Sequence, residues 1–331
     1  MIIRSKAYPR AGLIGNPSDG YFGKTIAFTF DNFLSEVVLY QSPELEILPA
    51  RRDHSRFASI AALDEDVRRN GYYGGIRLLK ATIRRFYRYC RDNGVVLDDR
   101  NFTLSYSSTI PGQVGLAGSS AIITACMRAL MAFFQVEIPN AILAGIVLSV
   151  ENDELGIPAG LQDRVAQAYQ GLVYMDFDRG FMERNGFGDY APLNPGRLPP
   201  VYIAYMEGLS EGTEVFHNDI RGRFERGERD VVEAMDYWAG LTVEARRAID
   251  AGDAAQLARL IDANFDRRRS IYRIADGNLA MVEAARSVGA SAKFAGSGGA
   301  IVGTYDGEDM FDRLRERLAQ LDVRVFKPNI V

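Results

Sequence analysis

The chain is short of the residues that carry metal and redox chemistry. Its 331 residues include two cysteines, two histidines and one tryptophan. His54 and His217 alone do not supply a zinc ligand set or a histidine-based triad. Cys90 and Cys126 lie in apolar or aromatic, helix-like surroundings, so they read as buried free thiols and point to a reducing cytoplasm. No apolar run approaches the length of a membrane span. The opening residues, Met1 to Lys6, lack a signal peptide's apolar core. The net charge of −4 offers no broad basic face for nucleic acid. The glycine- and serine-rich stretch at 111–121 carries no Gly-Lys-Ser/Thr, so it is not the common P-loop, and its glycines lack the dinucleotide-binding spacing. Internal repeats and low-complexity tracts are also missing.

What remains is ample core-forming material. At 47% apolar residues, the chain can bury a large core and is expected to form two domains. Strands are expected at 7–14, 26–30, 35–40, 102–110, 171–176, 201–205, 300–305 and 323–328. Helices are expected at 53–69, 76–90, 121–134, 140–151, 163–169, 222–273, 279–288 and 309–321. Glycines mixed with Pro192, Pro195, Pro199 and Pro200 mark the best boundary, giving domains at 1–190 and 191–331. Strands and helices interleave in both halves, an α+β pattern of two layered domains.

The most informative stretch is Pro111-Gly112-Gln113-Val114-Gly115-Leu116-Ala117-Gly118-Ser119-Ser120-Ala121. A small-residue loop at a helix start aims unpaired backbone N–H groups outward, near the positive end of the helix dipole. That makes a phosphate cradle, and a serine there can offer its hydroxyl to Mg²⁺. Taken alone, the loop also fits a plain helix N-cap. A second loop, Gly296-Ser297-Gly298-Gly299, lies between a helix and a strand, and two such loops suggest the walls of one anion site. Between them, Glu151 and Asp163 flank a Gly/Pro/Gly turn. Phosphoryl transfer needs a carboxylate for the metal and one for the nucleophile. Asp163 also suits a helix cap.

These segments, in this order, resemble the GHMP kinase superfamily. A further motif fits near the start, through Arg10, Leu13, Ile14, Gly15 and Asp19. It departs from galactokinases at Asn16-Pro17, where those carry Glu-His that help read the sugar. The resemblance extends to the plant glucuronokinases through Gly15 to Asp19 with Tyr21-Phe22-Gly23, Gly71 to Leu79, Gly160 to Gln167, and Asn264-Phe265-Asp266 with Arg268-Arg269. It implies a ribosomal-protein-S5-domain-2-like N-terminal layer, a ferredoxin-like C-terminal α+β domain, and an active site in the cleft between them. It also implies ATP-dependent phosphorylation of D-glucuronate at its anomeric hydroxyl, with Mg²⁺.

The resemblance assigns roles as expectations. ATP phosphates would rest on Gly115, Leu116, Ala117, Gly118, Ser119, Ser120, Gly296, Ser297 and Gly298, with Mg²⁺ on Ser120 and Glu151. Asp163 would take or hold the proton of the anomeric hydroxyl, and Arg10 would keep it ionised. Asp19, Asn16, Tyr72 and Tyr73 would meet the sugar. Its carboxylate needs a cation, with Arg77, Arg164, Arg268 and Arg269 as candidates. The expected partners are ATP and a small sugar acid, with neither nucleic acid nor membrane, in a monomer or homodimer. Competing readings are a kinase for galacturonate, a neutral hexose or a heptose phosphate, and a non-catalytic ligand-binding relative.

Overall fold

A computed structural model describes residues 1–50, Asp53, 74–209 and 220–331. The expected helix at 53–69, both tyrosines at 72 and 73, and both histidines lie outside the described residues, Asp53 excepted.

The first expected strand is two strands. β1 (Ile2–Ala7) and β2 (Arg10–Ile14) are separated by Tyr8-Pro9, and they serve different sheets. Proline lacks the N–H that would continue a ladder. β1 pairs with β4 (Ser35–Ser42), which pairs with β6 (Asn101–Ser108); the short β5 (Glu46–Ile47) lies on the far side of β6. β2 pairs with β3 (Lys24–Thr29), then β7 (Leu172–Asp176), then β8 (Asp189–Leu193). The third sheet runs β10 (Lys293–Phe294), β11 (Ala300–Thr304), β9 (Val201–Tyr205) and β12 (Arg324–Phe326).

β8 corrects the expected domain boundary, because position 190 falls inside it. The sheet pairing keeps residues up to Leu193 with the first half. Pro192 is tolerated because β8 is an edge strand. The crossing to the third sheet therefore runs through 194–200.

Helix α1 (Gly75–Asp92) buries Leu78, Leu79, Thr82, Phe86 and Cys90 along one stripe. It packs on α2 (Gly118–Phe134), whose buried face covers β1 and β4. α3 (Asn140–Ser149) runs into a wider turn, Val150–Glu154, that carries Glu151. α4 (Gln162–Tyr169) carries Asp163, and α5 (Arg179–Asn185) follows β7. The helical stretch expected over 222–273 contains a hairpin, α6 (Arg229–Ala251) and α7 (Ala254–Ile271). Gly252 ends α6 at φ +70, and the Asp253 carboxylate accepts from Gln256 N to start α7. α8 (Asp276–Ser287) and α9 (Gly307–Ala319) complete the second half. Cys90 and Cys126 are buried free thiols, as expected. Among the described residues, no helix is long and apolar enough to cross a membrane.

The halves share a core. α6 packs on β3, and α7 reaches β2, β10 and β11. Asn264 of α7 is the polar clasp between them. Its side chain accepts from Gly15 N at 2.7 Å and donates to Asn16 O at 3.2 Å, at 1% exposure. Trp238 of α6 donates to Asn264 O at 3.0 Å. Asn264→Ala leaves a buried N–H and a buried carbonyl unpaired, so we expect a loss of about 2–4 kcal/mol in urea unfolding. A loss under about 0.5 kcal/mol contradicts the clasp.

Candidate active site

Arg10 opens β2 and is 5% exposed. Its Nε donates to Asp163 Oδ1 at 2.5 Å. Its Nη1 donates to Gly115 O at 2.7 Å and to Ala295 O at 3.0 Å. One guanidinium thus meets the expected catalytic carboxylate and both glycine loops.

The loops touch. Gly115 has φ +69, and a Cβ there would lie 2.7 Å from Gly298 O and 3.2 Å from Ser297 Oγ. A Cβ on Gly296 would overlap Gly115 O and come within 2.8 Å of Arg10 Nη1. Glycine is required at both positions by this close approach of backbones. Leu116 turns its side chain into the core and accepts from Arg10 N. Ala117 caps α2 at φ +62, and Gly118, Ser119 and Ser120 form its first turn. Asn278 Oδ1 accepts from Gly299 N at 2.8 Å and pins the other loop.

The serine that meets Glu151 is the neighbour of the one expected beside it. Ser119 Oγ, rather than that of Ser120, donates to Glu151 Oε1 at 2.9 Å. Ser120 is fully buried, and its hydroxyl donates to Ala117 O at 3.2 Å. Glu151 is 1% exposed and ion-paired with Arg164, whose Nε lies 2.8 Å from Oε2. Arg164 also donates to Gly160 O at 2.8 Å and stands 3.4 Å from Asp163 Oδ2.

Two carboxyls here are driven apart. Burial pushes the Asp163 carboxyl up, but Arg10 and Arg164 more than reverse this and hold it below the usual range. Asp19 is pushed up to about 6, by burial first and by the Asp163 charge second. It accepts from Gln162 N at 3.3 Å. Burial works against the Arg164 charge, but Glu151 and Asp163 keep it protonated. Gln162 Oε1 is buried with no donor among the described residues.

The other expected sugar contacts are distributed differently. Asn16 Oδ1 accepts from Lys293 Nζ at 2.5 Å; the same ammonium donates to the Gly12 and Phe294 carbonyls. Lys293 faces these neutral oxygens while burial drives its pKa down. Arg268 donates to Gly296 O at 3.2 Å and Ser297 O at 3.3 Å, lying over the Tyr272 and Phe294 rings. It braces the second loop. Arg269 is exposed and pairs with Glu283, and Arg77 is exposed and donates to Leu155 O. Sequence reasoning passed over Ser119 as a Glu151 contact, and also Lys293 and Gln162. The only signal for them was their place inside motifs already singled out.

The model of the GHMP kinases N-terminal domain matches residues 77–171. Over 306 residues the chain is 43% identical to Glucuronokinase 1 of Arabidopsis thaliana, covering 91% of this chain and 84% of that protein. This chain belongs to the GHMP kinases. Probable glucuronokinase 2 of the same plant is 42% identical over 308 residues, with the same coverage. The crystal structure of Lactococcus lactis galactokinase complexed with galactose superposes at a TM-score of 0.76 and 16% identity, covering 99% of this chain and 93% of that one. The two-domain fold expected from sequence is thereby shown, and this GHMP kinase is a phosphotransferase with an alcohol acceptor.

Asp19 gives a test with a worked sign. Its folded pKa is about 6 against an ordinary value of 3.8, so the native state holds the proton more tightly. Stability is therefore lost as pH rises between about 4 and 6, and the cost is complete above that window. Asp19→Asn is expected to be more stable than the parent at pH 7.5, by on the order of 1–3 kcal/mol in urea unfolding, with a smaller difference at pH 5. Equal stability at pH 7.5 contradicts a charged, half-buried Asp19.

Proposed function

We propose that this kinase transfers the γ-phosphoryl group of ATP to the anomeric hydroxyl of D-glucuronate, giving glucuronate 1-phosphate and ADP. The observation that carries the mechanism is the Arg10–Asp163 pair set against both glycine loops. The substrate rests on the 43% identity to a named glucuronokinase across 91% of the chain. The free, buried thiols fit the cytoplasm.

Backbone N–H groups of 115–120 and 296–298 receive the phosphates at the positive end of α2. Glu151 Oε1 and Ser119 Oγ, 2.9 Å apart, are hard oxygen donors that suit Mg²⁺, with Ser120 one residue further in. When bound, the ion neutralises charge on the phosphates. Asp163, held ionised, orients the sugar hydroxyl and takes its proton as the new O–P bond forms and the bond to ADP breaks. Arg10 steadies that carboxylate and the loops that hold the transferring group. Asp19 and Gln162 Oε1 present acceptors to sugar hydroxyls.

ADP release is to be measured with glucuronate, galacturonate, glucose, galactose and a heptose 7-phosphate. Glucuronate is expected to give the highest kcat/KM; a preference for a neutral hexose overturns the uronate assignment. Asp163→Asn is expected to lower kcat by about 10²- to 10⁴-fold with ATP affinity intact. A change under about threefold overturns Asp163 as the proton acceptor and leaves it as a counter-ion for Arg10 and Arg164.

A further inference from the structure

The four arginines expected to meet a uronate carboxylate are all engaged elsewhere. Arg164 serves Glu151, Arg268 the Gly296 and Ser297 carbonyls, Arg269 Glu283, and Arg77 Leu155 O. A different arginine stands beside the turn that carries Asp19. The turn Ser18–Tyr21 carries Asp19, and residues 220–225 form a helical turn packed against it. Tyr21 and Phe224 meet edge to face at 4.9 Å between ring centroids. That contact seats Arg221 beside the Asp19 turn: a Cβ built on Gly20 would lie 3.9 Å from Arg221 Nη2. Arg221 is exposed and has no hydrogen-bond or ion-pair partner among the described residues. Its neighbour Arg223, by contrast, is held by Glu228 and Asp230.

We propose that Arg221 is the specificity residue of this kinase, pairing with the carboxylate of the sugar acid while Asp19 accepts from its hydroxyls. The inference rests on the uronate reading given above. Three features support it. The Tyr21–Phe224 contact joins the turn that carries Asp19 to the turn that carries Arg221, so the two charged residues sit on adjoining turns. That juxtaposition suits a ligand with hydroxyls at one end and a carboxylate at the other. An arginine fork can grip a carboxylate with two parallel N–H···O bonds, which a neutral hydroxymethyl group cannot accept in the same way. And a guanidinium with no partner among the described residues, beside the turn that carries Asp19, leaves its donors open for an incoming anion.

The experiment compares kcat/KM for glucuronate and glucose in the full-length enzyme, its Arg221→Met and Arg221→Lys variants, and Arg269→Met as a control on the exposed face. Arg221→Met is expected to lower the glucuronate-over-glucose ratio about 10- to 100-fold, through KM for glucuronate, with KM for ATP within about twofold of the parent. Arg221→Lys is expected to restore part of the ratio, and Arg269→Met to keep all of it. A parent-like ratio in Arg221→Met overturns the inference and leaves the uronate reading standing. A parent enzyme with equal kcat/KM on the two sugars overturns the uronate reading and the inference with it. Circular dichroism of each variant separates a lost contact from a lost fold, and an unfolded Arg221→Met with a fully selective Arg221→Lys also counts against the pairing.

Discussion

The site is organised around one guanidinium. Arg10 sits in the first residue of β2, almost sealed from solvent, and bonds to Asp163, Gly115 O and Ala295 O. These partners come from three separate stretches of chain. A buried arginine is costly unless its donors are used, and here Nε and Nη1 are spent on a carboxylate and two carbonyls. The glycines follow from the same constraint. Gly115 and Gly296 must lack side chains because the loops close onto each other at the arginine. Arg268 and Asn278 then hold the second loop from its outer side. The two glycine loops are therefore held together by residues from both halves of the molecule.

Electrostatics divide the labour between the two aspartates. Both are half-buried and close enough to affect each other, yet Asp163 is drawn down by Arg10 and Arg164 while Asp19 is raised to about 6. Environments that push two carboxyls apart are a mark of assigned acid–base and binding roles. Arg164 links this pair to Glu151, so Glu151 and Asp163 share a counter-ion. Charge arriving at one will be felt at the other.

Much of this was legible in the sequence, for identifiable reasons. Loops that demand close backbone approach must be written in glycine and serine, so Gly115 to Ser120 and Gly296 to Gly299 announced themselves. Asp163 and Arg10 were legible from motif order. Which serine contacts Glu151 was not, because successive residues point about 100° apart on a helix and the left-handed Ala117 sets the phase. The arginines were not ranked by sequence either. Which ones brace the fold depends on partners far along the chain, as with Arg268 and Gly296. The break at Gly252-Asp253 carried a readable stop and start signal that long apolar periodicity obscured. The boundary near 190 was misplaced because prolines were taken as a linker, while an edge strand accommodates Pro192.

The most direct measurement of the central claim is steady-state kinetics of Arg10→Met against both substrates. If one guanidinium holds the catalytic carboxylate and both loops together, kcat must fall by about 100-fold or more, and KM for ATP must rise by about tenfold in the same variant. A loss confined to kcat, with ATP binding unchanged, would show that the loops stand without Arg10 and would contradict the account.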